Sequence, residues 1–245
     1  MSAAGPKFRA LGAAFAVVAA ASLAAIAIPL AGLAALAIAG AEPTPALVVA
    51  LSIVLTQGVS FGGVALLYLA LRPGRLRVPL RWPTPRDLQW MVGGSALALA
   101  ALAVGGVAVS ALGVEVGAHQ VQALGMADRE IFALLIPLSF VLIGPGEELL
   151  FRGVVQGRLR QAFGAPTAIV LAAAIFAVIH VVALTGAMSA RLAGVSVLLL
   201  PSLVFGLAYE RTNNIAVPAV IHGGYNATLL ALSYYAAGIA GDVAP

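Results

Sequence analysis

The chain has 245 residues, of which 62% are hydrophobic and only 9% charged, with a net charge of +4. Soluble domains carry about 25% charged residues, so this composition excludes a water-coated globule and leaves lipid as the outer solvent. Cysteine is absent, which excludes disulfides, thiol catalysis and thiolate metal ligands, and the basic residues flank apolar runs, where they report membrane orientation rather than nucleic-acid binding.

In chain order, Lys7 and Arg9 precede an apolar run from Leu11 to Ala39. That run is much longer than the roughly 7–15 residues of a signal-peptide core. It is read as a retained first span with a kink at Pro29. Six further apolar runs follow, at 46–71, 89–112, 131–159, 167–184, 194–209 and 216–239. Crossing the hydrocarbon core takes roughly 20 helical residues. The sixth run, with 16, is short for a crossing, and the first is long enough to break in two. Backbone in lipid must satisfy its own hydrogen bonds, and Ala and Leu favour helix. The expectation is therefore an all-α polytopic bundle of about seven membrane helices, within a range of six to eight. Residues 1–88 would form an N-terminal helix pair with a basic loop, and residues 89–245 the functional core.

Orientation follows the basic residues. With the N-terminus in the cytoplasm, that side holds Lys7, Arg9, Arg72, Arg75, Arg77, Arg81, Arg86, Arg158, Arg160 and Arg211, against Arg129 and Arg191 on the other. The proline-containing loop from Arg72 to Arg86, with Pro73, Pro79, Pro83 and Pro85, is then cytoplasmic. The stretch from Gly113 to Glu130 falls outside, and His119 within it is read as a loop residue.

Ionisable groups inside a span cost roughly 2.5–3.5 kcal/mol each at its centre on insertion scales, so those present need a reason. The fourth segment contains Gly144-Pro145-Gly146-Glu147-Glu148-Leu149-Leu150-Phe151-Arg152, the fifth Phe176 to His180, and the seventh His222 to Asn226. Residues four apart share a helix face. Glu148 can therefore pair with Arg152, Phe176 can lie under His180, and His222 and Asn226 form one polar face. Glu147 is turned about 100° from Glu148 and lacks an obvious partner. Glu147 lies 17 residues before Gly164 and His180 lies 16 after it, so a turn at Gly164 brings both about 25 Å along antiparallel helices, level with each other. His222, 8 residues past Asn214, counts as shallower and joins them only if the turn at Gly164 projects further. Pro145 and Gly146 are expected to break the helix and open a wet cavity beside Glu147.

These motifs, EExxxR, FxxxH and HxxxN in order on successive spans, resemble the CPBP intramembrane protease family, which includes type II CAAX prenyl endopeptidases and bacterial abortive-infection and bacteriocin-processing relatives. The resemblance covers roughly 131–230. It implies an intramembrane endopeptidase with a site open to the cytoplasm, embedded in a cell inner (plasma) membrane and acting on a peptide or membrane-protein substrate. In that frame Glu147 activates water with His180, Glu148 orients the site under Arg152 with Phe176 beside it, and His222 and Asn226 stabilise the oxyanion or bind metal. The family name implies a metalloprotease, and Glu147, His180 and His222 could hold zinc or another divalent ion. A metal-free mechanism uses the same residues, and the HExxH ligand spacing is absent. Two readings from other classes stand beside it: a proton- or cation-coupled transporter, and an inactive immunity or scaffold protein that retains the residues.

Overall fold

The computed structural model describes residues 4–72 and 76–243; Pro73 and Arg75 of the basic loop lie outside the described residues. The chain is 84% helical with no strands among those residues. Eight helices follow in order: α1 (Ala4–Ile38), α2 (Pro45–Leu71), α3 (Pro85–Ala111), α4 (Gln120–Ala127), α5 (Glu130–Arg160), α6 (Ala165–Ile179), α7 (Met188–Thr212) and α8 (Ala216–Val243). A 3-10 turn, His180–Ala183, extends α6. Six helices among the described residues are long and apolar enough to cross a membrane: α1, α2, α3, α5, α6 with its extension, and α7. α8 has the length to cross as well, at 28 residues, but carries His222 and Asn226.

Large apolar side chains face outward along the bundle, among them Phe15, Leu23, Leu66, Val107, Val141 and Leu232. Water would penalise such a surface and lipid does not. α1 runs unbroken through Pro29, so the long first run is one helix. The sixth run is longer than its hydropathy suggested. α7 spans 25 residues because its polar ends, with Ser189, Arg191, Glu210 and Arg211, continue the helix beyond the apolar stretch. It stops at Asn213, whose left-handed backbone (φ 48°) donates its N–H to the Tyr209 carbonyl, a C-terminal stop that asparagine tolerates. α3 begins with a reciprocal cap: Thr84 accepts from the Asp87 N–H, and the Asp87 carboxylate accepts from the Thr84 N–H. Pro85 in the first turn needs no donor there.

One apolar cluster joins α1 and α2 to α5 and α6 through Ala14, Val17, Phe61, Phe151, Val154 and Phe176. A second joins α3, α7 and α8 through Ala98, Phe205, Val217 and Ile221. The polar residues of α5 lie between the two. At one end of the bundle Arg81 ties the basic loop down. Its guanidinium pairs with Asp87 at 2.5 Å and donates to the Thr212 carbonyl at 2.8 Å, and Ile215 N–H bonds to Pro79 O at 2.9 Å. At the other end the 117–118 segment bonds to Ala190 and Thr185.

Candidate active site

α5 does not break at Pro145-Gly146 as expected. Two π-helical stretches, Ser139–Ile143 and Leu149–Gln156, flank the α-helical turn Gly144–Glu148. Wider turns accommodate the proline without severing the helix, and such bulges recur at functional sites. The glycines instead allow close approach. A Cβ on Gly146 would collide with the carbonyl oxygen of Gln57 on α2, and one on Gly144 would lie 2.5 Å from the Ala219 carbonyl oxygen on α8. With hydrogen at those positions, α2 and α8 both close onto the turn that carries the acids.

Glu148 and Arg152 pair at 3.0 Å in full burial. Arg152 also donates to the Ser202 carbonyl at 2.8 Å and to Ser202 Oγ at 2.7 Å, linking α5 to α7. The Phe176 and Phe205 rings lie 4.9 and 5.4 Å from its guanidinium carbon, where their π faces add to the compensation of a buried cation. Glu148 Oε1 accepts a second hydrogen bond, at 2.8 Å, from His222 Nδ1. His222 therefore does reach the site, stacked on Phe205 at 4.7 Å between ring centroids.

His180 sits at the end of α6 with its ring 4.5 Å from that of Phe176. Its Nδ1 donates to the Phe176 carbonyl at 2.7 Å. A carbonyl can only accept, so Nδ1 carries a proton, and when the ring is neutral Nε2 presents a lone pair. The same logic applies to His222, whose Nδ1 faces a carboxylate. Both Nε2 atoms then face one oxygen: Glu147 Oε2 lies 3.9 Å from His180 Nε2 and 3.8 Å from His222 Nε2. These separations exceed hydrogen-bond length, and Oε2 is buried with no hydrogen-bond partner. Oε1 is held at 2.8 Å by the amide of Gln57.

Gln57 was missed in the sequence, where attention went to ionisable groups. The available signal was the single side-chain amide of α2, beside Thr56 and near Ser60 in the middle of a long apolar span. Ser202 was missed for the same reason. His119, read as a loop residue, lines the same cavity as the site.

That cavity, about 380 Å³, contains Glu147, His180, His222 and Asn226 in its wall, together with Gln57. Its remaining walls are mostly apolar, and it reaches Val116, Gly117 and His119. It therefore extends to the end of the bundle opposite Arg77, Arg81 and Arg86. α5 and α7 carry the cavity walls toward Glu130 and Met188, away from the loop that Arg81 anchors.

Two imidazole Nε2 atoms and a carboxylate oxygen are chemically suited to zinc. As placed, they do not close on an ion: among the described residues no group of three or more His, Cys, Asp or Glu could hold a metal. Ligands on a tetrahedral zinc at about 2.0–2.1 Å would stand closer together than 3.8 Å.

Residues 129–228 match a family model, that of the type II CAAX prenyl endopeptidase Rce1-like proteins. Over this segment the chain is similar to that family. The match covers all three motifs, and the resemblance drawn from Glu147-Glu148 to Arg152, Phe176 to His180 and His222 to Asn226 agrees with it. At family level it supports an intramembrane peptidase in a multi-pass membrane protein. No curated protein and no solved structure matches the chain.

Proposed function

We propose that the protein is an intramembrane endopeptidase in which Glu147 activates water for attack on a peptide bond. The observation that supports this best is the convergence of two imidazole lone pairs on the one Glu147 oxygen that has no hydrogen bond, at the wall of a cavity. A water among these three atoms can give one proton to the carboxylate and donate the other to an imidazole nitrogen, which orients it. The hydroxide oxygen bonds to the scissile carbonyl carbon while Glu147 takes the proton. Collapse of the tetrahedral intermediate breaks the C–N bond, and that proton goes to the leaving nitrogen. The Asn226 amide donates to the oxyanion. His222 Nε2 relays the proton taken by Glu147 to the leaving nitrogen, and Glu148 stabilises the imidazolium formed in passing as the buried acid does in a serine-protease triad. Arg152 positions Glu148.

The predominantly apolar cavity wall favours a peptide or membrane-protein segment as substrate, in contact with the lipid bilayer. The charge asymmetry favours an inner membrane location with the N-terminus and basic loop in the cytoplasm, which puts the 116–122 end of the cavity on the other face. Because the chain has no cysteine, single cysteines at Trp82 and Glu115 read this directly. An impermeant thiol reagent should label Glu115→Cys and spare Trp82→Cys in intact cells.

Comparing new protein N-termini in cells with wild type or Glu147→Ala tests the enzyme reading. Termini that vanish with the variant support it, and identical sets remove it. No step above runs through a metal. The zinc or divalent-metal version is retained only if a chelator abolishes cleavage by purified protein and a stoichiometric ion restores it.

A further inference from the structure

All three histidines of the chain line one cavity, and they present opposite chemistry. His180 and His222 each use Nδ1–H internally and offer a lone pair. His119 is the reverse: its Nδ1 accepts from the Val121 N–H at 3.3 Å as the N-cap of α4. The neutral ring must then carry its proton on Nε2 and is a donor. The ring is also held in place. Gln120 donates to the Val182 carbonyl at 2.9 Å and Thr185 N–H to the Ala118 carbonyl at 2.8 Å, and His119 itself forms an isolated antiparallel bridge with Leu184. These contacts fasten His119 to the turn that carries His180, so one rigid unit sets the spacing between the two imidazoles. Between His119 and Glu147 the wall includes Val116, Val121, Leu135, Leu184 and Val197.

We propose that His119 is a substrate-positioning residue, whose Nε2–H binds an acceptor oxygen of an apolar peptide laid along this wall with its cleaved bond at Glu147. The acceptor is a carbonyl or terminal carboxylate oxygen, because nothing else on an apolar peptide accepts. This inference rests on the endopeptidase reading of the site, and its test needs no turnover.

The full-length protein in detergent carries Glu147→Gln to prevent cleavage, and the probe is an N-terminally fluorescent hexapeptide of alanine and leucine. Fluorescence anisotropy gives its Kd. His119→Asn keeps an N-cap for α4, since asparagine is a strong one, but its amide N–H ends short of the position of His119 Nε2, and it should weaken binding about three- to tenfold. His119→Gln, which restores an N–H at longer reach, should recover most of the loss, a rescue that a merely structural role would not give. Amidating the peptide separates the sources: affinity lost in the wild type identifies the carboxylate, and affinity retained identifies a backbone carbonyl. Unchanged Kd in His119→Asn, or no binding to His119-containing protein, overturns the inference. If Glu147→Ala stops cleavage while His119→Asn binds normally, only this inference falls. If the peptide binds through His119 and no cleavage depends on Glu147, only the endopeptidase reading falls.

Discussion

Replacing Arg152 by methionine isolates what the buried ion pair does. Arg152 is fully buried and makes three polar contacts, to Glu148, Ser202 O and Ser202 Oγ. Methionine fills much of the same space but leaves Glu148 in apolar surroundings with His222 as its only hydrogen-bond partner. Breaking a buried pair from one side costs about 3–5 kcal/mol, whereas replacing both partners with neutral groups is often near neutral. For a chain of this size each kcal/mol moves the unfolding midpoint by about 2–4 °C. Arg152→Met should therefore lower the midpoint by about 6–20 °C in detergent. Adding Glu148→Gln should recover most of that, because the uncompensated charge is gone and the amide oxygen still accepts from His222 Nδ1. Cleavage should not recover, since a neutral amide cannot stabilise an imidazolium at His222. The assay is thermal unfolding by intrinsic fluorescence, beside cleavage of a reporter substrate. A double variant no more stable than Arg152→Met would refute the charge argument. A double variant with wild-type cleavage would refute the role of Glu148.

Gln57→Leu should lower kcat about ten- to hundredfold with KM little changed, because it removes a hydrogen bond to a charged group worth about 1.5–3 kcal/mol; steady-state kinetics in detergent read the split. Gly146→Ala should destabilise by about 1–3 kcal/mol through backbone overpacking and should also reduce cleavage, since the added methyl pushes Gln57 away from Glu147; thermal midpoint and kcat are measured together. His119 gives a pH signature. Partial burial, with the nearby His180 acting in the same sense and the Glu147 carboxylate in the opposite one, holds the imidazole below its ordinary pKa of 6.5. As pH falls through 6.5 the unfolded chain takes up a proton that the folded chain resists, so stability declines with acidity from that point. The midpoint of the wild type should fall more steeply between pH 6.5 and 5 than that of His119→Asn, and parallel curves would contradict the assignment.

The helices were legible because lipid solvation writes itself into long apolar runs. The Glu148–Arg152 pair and the Phe176–His180 stack were legible because four-residue spacing is a property of one helix. The levelling of Glu147 with His180 could be counted across a single turn at Gly164. Contacts between distant segments were not legible by counting. Gln57 meets Glu147 across 90 residues of chain, and only the collision a Cβ on Gly146 would cause reveals how closely α2 approaches. The length of α7 was missed because hydropathy ends where polar residues begin, whereas the helix ends at the left-handed Asn213. Charge counting bears on which loop faces the cytoplasm and is silent on which end of a bundle leaves space between helices.

Two adjacent acids on α5 occupy environments that suit them to different work. Glu148 spends Oε1 on both Arg152 and His222 and has no exposure at all. Its charge is matched and its position fixed, so it can hold a proton carrier in orientation but has no access to substrate. Glu147, one residue earlier and about 100° around the helix, turns to the cavity. One of its oxygens is anchored by the neutral Gln57 amide, which orients the group without neutralising it. The other faces two imidazole nitrogens that the Phe176 carbonyl and Glu148 force to be acceptors. At 3.8–3.9 Å the carboxyl reaches neither nitrogen directly, and in its ionised form it needs a donor between them. Water is the donor that fits a space too wide for direct hydrogen bonds and is also the reagent that hydrolysis consumes. The same tautomer locks that make His180 and His222 poor partners for a bare carboxylate make them suitable partners for a water bound to it.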